Sequence, residues 1–174
     1  KIAILPFTYL IDKQSAGEEI SYKVQNECFS FLNNHVGELK IQDPMTTNAS
    51  LIKAGINQEN MRGYTMGEIC NILGVEYVVS GTVTQSETYV SNYSGSSTNA
   101  KSNKGKNNKG NIFKSSTSTY SSSVQKYETA ITMNIYTDKN STIFSKDHTS
   151  FWQTDDAYKI TLQYLLKRTP LYKK

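Results

Sequence analysis

The apolar positions of this chain fall in two blocks, residues 1–90 and 124–172, separated by a stretch almost free of them. A core must therefore be built from two distant halves of the chain. Ile2 to Phe7 is an unbroken apolar run closed by Pro6 and apolar on both faces, which predicts a central strand covered on two sides. Thr8 to Gly17 reads as a loop with Asp12, Ser15 and Gly17 as its turn residues. The period then becomes helical from Glu18 to Val36: Ile20, Val24, Cys28, Phe31, Leu32 and Val36 share one face, and Glu18 and Glu19 complement the dipole in the first turn.

Leu39 to Ile41 predicts a short second strand, stopped by Asp43-Pro44, and Ala49 to Ala54 a helical turn or two. Thr65 and Glu68 are spaced as a capping box, with Met66, Ile69, Cys70 and Leu73 on one face and Gly74 as the stop. Val75 to Val83, rich in β-branched residues, is a strand. Thr129 to Tyr136 alternates, with Ile131, Met133 and Ile135 facing inward; Asp138-Lys139-Asn140 is a turn, and Thr142 to Trp152 returns as the last strand. Thr154, Asp155 and Asp156 cap a final helix whose predicted buried face is Ala157, Ile160, Thr161, Tyr164 and Leu165. Pro170 forbids its continuation. The predicted fold class is α/β (α+β): a mixed β-sheet of about five strands packed with three to four helices.

Residues 91–123, of Ser, Asn, Lys, Gly and Thr, cannot bury enough apolar area to offset their ordering entropy. They divide two strand-like runs, Val75–Val90 and Val124–Tyr136, and so read as a long hairpin insert with a mobile tip on a single domain spanning 1–174. The insert also carries the basicity. Lys101, Lys104, Lys106, Lys109 and Lys114 stand there without an acidic residue, which exceeds the whole chain's +4 and leaves the body slightly acidic. A basic face tracking a phosphate backbone is not indicated for the body. Within the insert and its flanks, Tyr89, Tyr93, Lys104, Lys106, Lys109, Phe113 and Tyr120 are the candidate interaction residues, cations interleaved with rings. The plainer reading, a solvated hairpin tip kept soluble by charge, carries more weight. No run of about twenty apolar residues exists to cross a bilayer as a helix. The strands beside the insert also lack the apolar alternation of a lipid-facing hairpin.

Catalytic chemistry is sparse. His35 ends a helix and His148 lies in an exposed strand; neither has a Cys, Ser or acid in a recognisable arrangement, and both read as surface residues. Cys28 and Cys70 lack metal or thioredoxin spacing and read as buried free thiols rather than a disulfide. Asp155-Asp156 resembles a metal pair, but a helix start accounts for both. Asp12, Glu18 and Glu19 could gather at the end of the first strand, where open sheets bind ligands, though no base, nucleophile or phosphate loop accompanies them. No catalytic residue, cofactor or metal is expected.

Three stretches carry a family resemblance. Ile2-Ala3-Ile4-Leu5-Pro6-Phe7 is similar to the opening strand of TolB amino-terminal and CsgG-like domains. Ile69 to Gly74, continuing through Val75-Glu76-Tyr77-Val78-Val79-Ser80-Gly81-Thr82-Val83, resembles their helix–strand segment, and Thr132 to Phe144, with Ile135-Tyr136-Thr137-Asp138, their later hairpin. The resemblance implies an α/β fold related to anticodon-binding domains, in a periplasmic or outer-membrane setting. It also implies a non-enzymatic role as a scaffold or as an assembly or secretion accessory. The implied partners are other envelope proteins, with a second copy of the chain as a further candidate. A signal or lipid anchor upstream of Lys1 would supply membrane association. The sequence lacks the apolar hairpins of the family's channel subunits, which speaks against pore formation. The alternative function is nucleic-acid binding through the basic insert. A third, a small hydrolase, would need a deep pocket joining Asp12 or Glu18 to a histidine.

Overall fold

The computed structural model describes residues 1–100 and 115–173, and the side chains of residues 1–87 and 126–173. Among these the elements are β1 (Ile2–Ile4), β2 (Thr8–Ile11), β3 (Gln14–Ser15), α1 (Glu18–Asn33), α2 (Pro44–Lys53), α3 (Met66–Leu73), β4 (Tyr77–Ala100), β5 (Ser115–Thr137), β6 (Thr142–Thr149) and α4 (Ala157–Leu166). The fold is mixed α/β. Its sheet runs β3-β2-β4-β5-β6, with β1 also paired to β4. Both β1 and β2 lie parallel to β4, and β6 is antiparallel to β5. By its contacts the chain divides into two compact units, Lys1–Glu87 with Tyr127–Lys174, and Thr88–Lys126. The second unit holds the outer reaches of β4 and β5 as extended backbone.

The apolar opening run is not one strand but two. Ile4 pairs with Val79 and Thr8 with Thr82, so four steps along the first strand match three along β4. The extra residue is a bulge at Leu5–Phe7. Pro6, which has no N–H to give a ladder, sits where pairing is interrupted. Past the bulge the inward parity changes from Ile2 and Ile4 to Phe7 and Tyr9. Gly81 answers it on β4. A Cβ there would overlap the Phe7 ring, 2.7 Å from its Cδ1, and would lie 2.8 Å from the Thr132 carbonyl.

Two helical layers cover the sheet unequally. On one face α1 (Val24, Cys28, Leu32) and α4 (Tyr158, Leu162, Leu165, Leu166) pack over Ile4, Phe7, Tyr9, Val79, Val83, Ile131, Met133 and Ile135. On the other, Leu51 of α2 and Ile69, Cys70 and Leu73 of α3 cover only Ala3, Leu5, Val78 and their neighbours. Each large side chain so buried is worth roughly 1.5–3 kcal/mol. The rest of that second face presents Thr82, Thr84, Thr132, Asn134, Ser145 and Asp147, none of them fully buried.

Several local readings change. The predicted loop 8–17 is a β2–β3 hairpin whose turn, Asp12-Lys13, takes positive φ at both residues (49° and 68°). The predicted strand Leu39–Ile41 reduces to a single bridge, Ile2 to Ile41. Asp43-Pro44 starts a helix rather than only stopping a strand: Asp43 accepts from the Thr46 N–H, and Pro44, needing no amide partner, occupies the first turn. The α3 capping box forms from both sides, and Gly74 closes the helix at φ 63°. Hydrogen bonds from the Thr65 backbone N–H and hydroxyl to Glu68 hold its carboxyl below the ordinary range.

Candidate interaction surface

Past Thr149 the chain leaves β6 but keeps hold of β5: the Ser150 N–H donates to the Thr129 carbonyl at 2.6 Å and the Tyr127 N–H to the Gln153 carbonyl at 3.3 Å. The Ser150 hydroxyl accepts from the Trp152 N–H and donates to its carbonyl, at 3.0 and 2.9 Å. This tight turn fixes Phe151 and Trp152 on the surface with their rings edge to face, 6.1 Å apart. Phe151 is 89% exposed and Trp152 56%.

The helix that follows adds to this surface. α4 buries Ala157, Tyr158, Thr161, Leu162, Leu165 and Leu166, an arc that differs from the predicted one by leaving Ile160 and Tyr164 outside. These two stand one turn apart on the outer face, 54% and 38% exposed. His148 stacks on Tyr164 at 3.9 Å, and Arg168 lies over the Tyr164 ring, its guanidinium carbon 3.4 Å from the centroid, while donating to the Tyr164 carbonyl at 3.0 Å. The Tyr164 ring is thereby held flat between an imidazole and a guanidinium, and His148 ties the end of β6 to α4. Trp, Tyr and Arg are the residue types that dominate binding energy at protein interfaces, and pre-ordered rings cost little entropy on binding. β6 beside them is the terminal strand of the sheet, with one edge turned away from β5.

A second apolar exposure lies on α2. Met45 is 80% and Ile52 68% exposed, flanking a groove of about 470 Å³ whose other wall is Tyr22 and Asn26 of α1. It is shallow and carries no ordered ring stack.

The chemical candidates do not come together. His35 packs in a three-ring cluster with Phe31 and Tyr172, which also stack on each other, its Nδ1 2.7 Å from the Phe31 carbonyl, and His148 belongs to the Tyr164 stack, so both are half-buried packing residues. Asp12 accepts from the Glu87 N–H at 3.2 Å. Glu18 borders two grooves beside α2 and Met61, neither of which is lined by a histidine. That arrangement does not supply the pocket the hydrolase reading required. Cys28 and Cys70 are buried free thiols in the two separate cores, and burial pushes both up, Cys70 to about 11. Among the described residues no group of His, Cys, Asp and Glu could hold a metal ion. Asp156 occupies the N-cap position of α4 but makes no side-chain cap hydrogen bond, so capping does not account for it.

Of the residues named from the insert, Tyr89 and Tyr93 fall on the backbone of β4 and Tyr120 on that of β5, with side chains outside the described set. Lys104, Lys106, Lys109 and Phe113 lie outside the described residues altogether.

No protein-family model matches this sequence, and no curated protein does. Among solved structures, the LpoB C-terminal domain from Salmonella enterica is similar over 85% of this chain and 79% of its own, at a TM-score of 0.45 and 10% identity.

Proposed function

We propose that this chain is a non-enzymatic scaffold or assembly module of the bacterial envelope that works by contacting other proteins. In this reading 1–174 is one domain of the TolB amino-terminal and CsgG-like kind, with 91–123 as a hairpin insert. The contact is the surface formed by Phe151, Trp152, Ile160 and Tyr164 with the edge of β6. The observation that carries the reading is the exposure of those four large side chains on α4 and the turn before it, two of them in an ordered ring pair and a third, Tyr164, stacked with His148 and Arg168. Ordered aromatic and apolar exposure of this kind marks a site of association. The envelope setting rests on the three sequence stretches that resemble that family.

The test is site-specific photo-crosslinking in cells, with the photoreactive residue placed at Trp152, at Ile160 and, as a control, at Glu59. The same envelope protein captured from both surface positions and not from Glu59 supports the reading. No adduct at Trp152 or Ile160, or an identical adduct at Glu59, overturns it. Nucleic-acid binding that weakens steeply with salt would move the function to the basic insert instead.

A further inference from the structure

A cleft of about 350 Å³ opens between the end of β2, α1 and the start of α4, a volume at the small end of the ~300–1,000 Å³ range of ligand pockets. Its floor is polar. The Tyr9 hydroxyl donates to Gln85 Oε1 at 3.1 Å, and Gln85 Nε2 donates to the Asp155 carbonyl at 3.4 Å, which moors the α4 entry to the sheet. Tyr158, only 3% exposed, lines the cleft, and its hydroxyl has no hydrogen-bond partner. A buried hydroxyl left so costs free energy, and one that borders a cleft calls for a partner there.

The charges around it select the occupant. Asp155 and Asp156 border the cleft with no ion pair among the described residues, and helix capping does not engage Asp156. Of the two lysines on the rim, Lys159 is turned to Glu27 at 3.6 Å, leaving Lys23. Burial holds the Tyr158 proton more tightly, with Glu27, Asp156 and Asp155 adding to the effect, so the hydroxyl sits in a negative field. An anion would meet carboxylates there; a cation would be met by them. Ile11, Ala16 and Ile20 make the apolar wall.

We propose that this cleft binds an alkylammonium or guanidinium group on a short aliphatic stem. Asp155 and Asp156 face the charge, the Tyr158 hydroxyl accepts a hydrogen bond from it, and Ile11, Ala16 and Ile20 cover the stem. A tyrosine hydroxyl both donates and accepts, whereas such a ligand only donates, so the unused lone pairs of Tyr158 are the complement it needs. The group could be a partner protein's lysine or arginine side chain or a free polyamine.

The test is NMR of the whole chain with labelled isoleucine methyls. It is titrated with N-acetyl-lysine-methylamide, N-acetyl-arginine-methylamide, putrescine and, as the uncharged control, N-acetyl-norleucine-methylamide. The cations should shift Ile11 and Ile20 with dissociation constants on the order of 1 mM, and norleucine should bind at least about tenfold more weakly. Asp155→Asn with Asp156→Asn should weaken the cations about tenfold, Tyr158→Phe roughly three- to tenfold, and Lys23→Ala should tighten them. Because Tyr158→Phe removes an unpaired hydroxyl, its melting temperature should hold or rise. Tighter capped residues would identify a partner's side chain, and tighter putrescine a polyamine; both support the site. Equal binding of norleucine, no methyl shift with any cation, or a Tyr158→Phe variant that melts lower while binding unchanged would overturn it.

Discussion

Two surfaces of this molecule invite comparison, the half of the sheet that no helix covers and the outer side of the helix that covers the opposite face. The uncovered sheet displays Thr82, Thr84, Thr132, Asn134, Ser145 and Asp147, side chains that water satisfies. The covering helix displays Ile160 and Tyr164, with Phe151 and Trp152 just before it. Exposure by itself therefore does not distinguish a binding surface. Where the fold leaves a sheet bare, the sequence has made it hydrophilic. Where it builds a complete layer, the sequence has added apolar groups that the layer does not need. Surplus of that kind is evidence for a partner.

The comparison breaks most easily at adjacent positions of one strand. Ile131→Ala should cost about 3 kcal/mol through lost burial and a cavity, while Thr132→Ala, one residue on and facing out, should stay within about 0.5 kcal/mol; urea unfolding checks both. Gly81→Val, on the covered face, should cost about 2–3 kcal/mol or more because its Cβ would overlap the fully buried Phe7 ring and crowd the Thr132 carbonyl. Trp152→Ser with Ile160→Ser should leave the urea midpoint nearly unchanged yet weaken capture of the crosslinked partner by about thirtyfold or more, the loss expected of paired hot spots. If instead that double variant unfolds and binding per folded molecule is unchanged, the outer side of α4 is structural and the contrast fails. Thr65→Ala, away from both surfaces, should lose about 1 kcal/mol.

The smallest effects concern pH. Tyr9 is pushed up to about 12 by burial, with Tyr158 and Asp155 contributing. Since its folded value lies above its unfolded one, its contribution is complete below about pH 10 and is lost as pH rises toward 12. Glu68 runs the other way. Its value is lowered, so its contribution is present at neutral pH and is lost as acid protonates it through its folded value. Tyrosinate absorbance against a stability titration checks the first, and an acid titration of the Glu68→Gln variant the second.

Periodicity and capping rules made much of this legible. The face of α1, the box and stop of α3 and the inward alternation of Ile131, Met133 and Ile135 follow from local pattern, because each is amphipathic with one buried side. The last strand, expected to run from Thr142 to Trp152, instead ends at Thr149 and buries only Phe144. The β2–β3 hairpin was not legible, since its turn relies on Asp12 and Lys13 in the left-handed region without a glycine. The interaction surface was missed for a sharper reason. α4 carries Tyr158, Ile160, Leu162, Tyr164, Leu165 and Leu166 almost all the way round, and period alone cannot say which of them a sheet will take. Counting would have helped: a ten-residue helix with more apolar groups than one face can bury, preceded by Phe-Trp, must leave some outside.

The bulge at Leu5–Phe7 governs how this chain can vary. It is a phase change written into the first ten residues. Remove Pro6 and four steps against three become three against three: the strand pairs regularly, with Ile4, Phe7 and Tyr9 still inward and Leu5 and Thr8 still outward. Point substitutions there can be repaired one at a time. A single insertion with the bulge otherwise unchanged cannot, because it would turn Tyr9 and Ile11 outward and Thr8 and Leu10 into the core, so homologues of this fold should lose a residue at Leu5–Phe7 far more readily than gain one.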